Sequence, residues 1–151
     1  MLYLCTINLK QINNMKNAVF FANNVINTDN GVIYKNEEAF ENNHDEICYI
    51  SEYGLEELDE LIKEGKNLTE KEIIEKGIGF SRNSLIREII IFYDETCTEE
   101  QIQEGKLKYN NKVIDVKESK LDKAIFEYLD WTYPTTLMSD IDFMNELEIK
   151  Y

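Results

Sequence analysis

The stretch KLKYNNKVIDV, residues 106–116, leaves the chain little conformational choice. Two alternating runs meet at Asn110 and Asn111. Asparagine tolerates positive φ, so a tight two-residue β-hairpin is predicted there. Elsewhere the apolar period changes to that of a helix. Leu55, Leu58, Leu61 and Ile62 recur at helical spacing after Ser51, a good N-cap, and Gly65 can close that helix. Thr69 and Glu72 form a capping box that starts a helix at Glu70. Thr98 caps EEQIQEG. Ser119 precedes the best stripe in the chain, Leu121, Ala124, Ile125, Tyr128 and Leu129. Pro134 ends that region, and Ser139 begins a last short helix to Leu147.

The N-terminal third reads as strands around short helices. Tyr3–Leu9, VIYK after the turn Thr28–Gly31, and EICYI at 46–50 are β-prone. Ile12, Met15, Val19, Ala22 and Ile26 predict an amphipathic helix over Gln11–Ile26, and Asn36–Glu41 a shorter one. Strands early, a hairpin late and short helices between predict a single α+β domain over 1–151. Its small sheet is packed by several short amphipathic helices, with an acidic helical middle over 51–104.

An apolar fraction of 43%, with nine Tyr and seven Phe in 151 residues, is enough for a packed core. No signal-peptide pattern opens the chain, and the longest wholly apolar stretch, Ile89–Tyr93, is too short to cross a bilayer. Cys5, Cys48 and Cys97 are odd in number and widely spaced, as expected for reduced thiols in a cytoplasmic protein. With one histidine, His44, no zinc set is complete. Neither a metal nor another cofactor is expected.

Charge narrows the function classes. The formal net charge is -14, and the whole excess falls on residues 37–104, which hold twenty acids against six bases. Affinity for a nucleic acid duplex comes largely from Lys and Arg displacing counterions, so direct binding is disfavoured. A negative surface suits a basic partner, which it can steer or which it can occupy by imitating phosphates. The acids proposed for that surface are Glu52, Glu56, Glu57, Asp59, Glu60 and Glu64, together with Glu70, Glu72 and Glu75.

One segment points the other way. From Gly79, the residues GFSRNSLIREI resemble the second helix of helix-turn-helix proteins and their G-x-S-R-x-[ST]-h-x-R-x-[IL] pattern. The resemblance covers about twenty residues, 69–89, and departs from the family pattern at Glu75 and Glu88. It implies base reading by Arg82 and Asn83 near the helix start, with Arg87 supporting, in a dimer that pools scarce positive charge. A third reading is a Mg²⁺-dependent nuclease. Asp115-Val116-Lys117 is a D-x-K triplet on a strand, resembling the PD-(D/E)xK enzymes, with Asp94 as second acid. No proline precedes Asp94, and the Asn-Asn turn pairs the triplet's strand with 106–109.

No glycine-rich phosphate loop or nucleophile–base set is present. The leading expectation is therefore a non-enzymatic, acidic inhibitor of anti-defence or immunity type, suited to a phage or mobile element. Its target is expected to be a basic, nucleic-acid-binding protein.

Overall fold

The computed structural model describes residues 16–28 and 31–119. Their fold is α+β: six helices, a four-stranded antiparallel sheet and a two-stranded hairpin. They fall into two compact units, one of residues 16–28, 31–35 and 49–80, the other of 36–48 and 81–119.

The first unit begins with α1 (Ala18–Asn23), whose N-cap Asn17 accepts a hydrogen bond from the Phe20 amide. The predicted helix over Gln11–Ile26 needs correction at both ends of its described part: extended Asn17 lets the helix start only at Ala18, and residues 11–15 lie outside the described residues. Asn24 caps α1 through its backbone N–H and its side-chain amide, and Ile26 already belongs to β1 (Ile26–Thr28). β-Branched Val25 and Ile26 favour extended backbone once the cap has stopped the helix. β1 pairs antiparallel with β2 (Gly31–Lys35), Ile26 facing Ile33, and β2 pairs with β3 (Ile47–Ile50), Tyr34 facing Ile50. The short β4 (Phe80–Ser81) completes the sheet order β1-β2-β3-β4.

Ser51 then caps α3 (Glu52–Lys63) by accepting from the Gly54 amide, as its position predicts. Helix α2 (Glu37–Asn42), which belongs to the second unit, precedes it in the chain. Leu55 and Leu58 are buried beneath α3, where α1 and β2 pack. The core of this unit also holds Phe21, whose ring meets Phe20 and Tyr34 edge-on at 5.2 and 5.1 Å. The Thr69–Glu72 capping box starts α4 (Glu70–Glu75) as expected. A bridge between Asn17 and Thr69 ties the starts of α1 and α4: Ala18 N donates to Leu68 O, and Glu70 N donates to Lys16 O.

In the second unit Asn36 caps α2, and a Ser81–Ser84 capping box starts α5 (Arg82–Tyr93). Leu85, Ile86, Ile89 and Ile90 form the buried stripe of α5. Thr98 and Gln101 box the start of α6 (Glu99–Glu104), which ends at Gly105 with φ of +73°. A side chain there would collide with Lys117, so glycine serves both the left-handed cap and the close approach of the hairpin. The hairpin forms as the sequence predicts. β5 (Lys106–Tyr109) and β6 (Lys112–Asp115) pair around Asn110 and Asn111, whose φ values of 50° and 64° define a type I′-like turn. The predicted elements over Tyr3–Leu9, Leu121–Trp131 and Asp140–Leu147 lie outside the described residues.

Candidate acidic interface and the fate of the other site residues

Helical geometry turns 100° per residue, so Glu52, Glu56, Glu60 and Glu64, four residues apart, form one row along α3. Asp59 and Glu57 flank the row on either side, and all six carboxylates are exposed. Lys63 alone interrupts them. Glu64 has Lys66 at 3.7 Å, while among the described residues Glu56, Glu57 and Glu60 have no ion-pair partner. Like charges four apart on a helix destabilise it by roughly 0.2–0.5 kcal/mol per pair. Three such steps therefore cost α3 about 1 kcal/mol.

Tyr53 stands on the same face at 69% exposure. Sequence reasoning missed it, because only the charges of this face were weighed. Its phase, between Glu57 and Glu60 around the helix, is the one signal that could have marked it as exposed.

The acids of α4 divide. Glu75 is exposed and Glu70 half-buried. Glu72 turns back to Thr69, accepting from its backbone amide and its hydroxyl at 3.2 and 3.0 Å. Those bonds, the amide's first, hold its carboxyl below the usual range. It is occupied in the capping box. These nine carboxylates are all the acids of the first unit's described residues, against six lysines. The second unit carries the larger excess, thirteen acids against six bases. The acidic middle of the chain is thus shared between two units.

Each side chain that the helix-turn-helix resemblance nominates is engaged within the second unit. The Arg82 guanidinium lies 4.8 Å from the centre of the Phe40 ring and reaches the Lys117 carbonyl at 3.5 Å. Asn83 donates through its side-chain amide to Asp45 at 2.7 Å, and its backbone N–H donates to His44 O. Arg87 forms a two-pronged pair with Glu99 at 2.8 and 3.2 Å. That pair raises the Arg87 pKa and lowers that of Glu99, chiefly through the hydrogen bonds themselves. Helix α4 belongs to the first unit and α5 to the second, so the look-alike segment straddles the boundary.

The nuclease residues have structural partners too. Asp94 is the C-cap of α5 and only 5% exposed. Its carboxylate accepts from the Lys108 amide and Gln101 Nε2 at 3.0 Å each, and from Thr96 Oγ1 at 3.2 Å. Asp115 accepts from the Glu118 amide, and Lys117 Nζ donates to the Gln103 carbonyl. Among the described residues no group of three His, Cys, Asp or Glu side chains could hold a metal ion. Cys48 is buried, which pushes its thiol up to about 12 despite a backbone hydrogen bond and nearby Arg82, so it stays a protonated thiol at neutral pH. Among the described residues, no helix is long and apolar enough to cross a membrane. Comparison with protein families, curated proteins and solved structures finds no match to this chain.

The Arg87–Glu99 pair carries a pH prediction. Its lowered folded pKa means that Glu99 adds stability above the ordinary glutamate range, about 4.3. That contribution is lost as pH falls through the folded value. The destabilisation caused by Glu99→Gln, measured by urea unfolding, should therefore be present at pH 7 and vanish once the pH has fallen below the lowered folded value of Glu99. A difference that persists there would mean that packing, and not charge, holds the two helices.

Proposed function

We propose that the protein is a non-enzymatic binding protein whose α3 ridge occupies a basic surface on a nucleic-acid-binding protein. The observation that carries this reading is the exposed carboxylate row Glu52, Glu56, Glu60 and Glu64, of which only Glu64 has an ion-pair partner among the described residues, with exposed Tyr53 at its side. An aromatic anchor within a charged rim is the usual energetic layout of a protein interface. The rim raises the encounter rate and the anchor slows dissociation. An inhibitor of this kind competes with nucleic acid for one basic surface, which suits an anti-defence or immunity role.

A DNA-reading role would first have to break the Asn83–Asp45 and Arg87–Glu99 contacts, and the freed side chains would then act in a chain of net charge -14. The ridge needs no such rearrangement.

The test begins with identification of a basic partner by affinity capture. Association kinetics are then measured across salt, and nucleic acid is added in competition. The on-rate should fall steeply as salt rises, and replacing Glu56, Glu57 and Glu60 by Gln should slow it about tenfold at low salt. Nucleic acid bound to the partner should be displaced. A salt-independent on-rate, or full activity of the triple variant, contradicts the reading.

A further inference from the structure

In each unit one large apolar side chain is far more exposed than the rest: Tyr53 on α3 and Val113 on β6, both at 69%. Their surroundings are opposite in charge. Tyr53 stands among carboxylates. Val113 stands on the outward face of the hairpin, where strand alternation also places Lys106, Lys108 and Asp115, because Leu107 and Ile114 point inward. The register sets Lys108 directly across from Val113 and Lys106 across from Asp115. Among the described residues Lys106 has only a long pairing to Glu104, at 4.0 Å, and Lys108 has no ion-pair partner. Lysines on a two-stranded edge commonly block unwanted strand pairing. That role does not explain Val113, since a blocking face would carry a polar residue opposite Lys108.

We propose that this hairpin face docks a second copy of the chain, receiving its α3 ridge with Val113 against Tyr53 and Lys106 and Lys108 against Glu56 and Glu60. The inference shares with the proposed function only the premise that the ridge is a binding surface. Self-association would keep the ridge covered until a more basic partner displaces the second copy. Two opposed electrostatic effects set its salt dependence. At about 0.01 M salt the Debye length is roughly 30 Å, and two bodies of net charge -14 repel as wholes. At about 1 M it is roughly 3 Å, and the contact pairs are screened. Association is therefore strongest between these limits.

Sedimentation equilibrium of the pure protein at about 0.01, 0.15 and 1 M salt tests this. The mass should exceed the 17.8 kDa of one chain chiefly at the middle value. Lys106→Glu with Lys108→Glu should abolish the association, as should Glu56→Lys with Glu60→Lys, and mixing the two variants should restore it. Lys71→Glu with Lys76→Glu changes net charge as much as the hairpin swap does, yet should leave association intact. A single-chain mass at all three salts, persistence in either swapped variant, failure of the mixture, or loss in the Lys71/Lys76 control overturns the proposal. No foreign partner is present, so that failure leaves the proposed function standing, and failure of the partner experiment leaves this one standing.

Discussion

Asp94→Ala is expected to cost about 3 kcal/mol of stability, the largest polar effect within the second unit. The carboxylate is 5% exposed and joins three pieces of chain: the end of α5, the helix α6 through Gln101, and β5 through the Lys108 amide. A hydrogen bond to a charged acceptor contributes about 1.5–3 kcal/mol, and a donor left unsatisfied in the interior costs about 1–3. Truncation loses the bonds and strands the Lys108 amide. Asp94→Asn keeps one acceptor oxygen and should cost about half as much. Urea unfolding reads the totals, and hydrogen exchange at the Lys108 amide reports locally. The same substitution discriminates against the metal role. Carboxylates held for catalysis are commonly strained, and their removal is neutral or stabilising. A stable Asp94→Ala variant would therefore restore Asp94 as a site residue.

What could be read in the sequence was local. Ser51, Thr69 and Thr98 stand as N-caps because a hydroxyl three residues before a free amide is a contiguous signal. Asn110–Asn111 makes its turn for a similarly local reason. The failure at Ile26 is one of competing signals. A helical apolar period ran across Asn23 and Asn24, and the cap won. The candidate sites were less legible because their partners lie far away in sequence. Asn83 finds Asp45 across 38 residues, Arg82 finds the Lys117 carbonyl across 35, and Asp94 finds Lys108 across 14. No window of sequence contains both halves of such a contact. A D-x-K triplet with an upstream acid, or an arginine at a helix start, therefore looks available for chemistry when the fold has already used it. The α3 acids were legible for the opposite reason: an exposed helical face is defined by its own phase.

Gly54→Ala should destabilise the first unit by about 2–3 kcal/mol, against the direction that helix propensity predicts. In an exposed helix interior this change gains about 1 kcal/mol. Here Gly54 lies on the buried side of α3. An added Cβ would sit 2.6 Å from the Ile78 carbonyl oxygen and 3.0 Å from Ile50 Cγ2. The oxygen is backbone, in a turn held by bonds from the Ile78 and Gly79 amides to the Ile73 carbonyl, so it cannot swing away as a side-chain end would. Relief requires α3 to lift, which loosens Leu55 and Leu58 and shifts the carboxylate row with them. Stability and ridge binding should therefore fall together in Gly54→Ala. In the triple Gln variant only binding should fall. If Gly54→Ala unfolds at the wild-type urea midpoint or above it, α3 is not seated this closely, and the fixed presentation of the ridge fails as a premise.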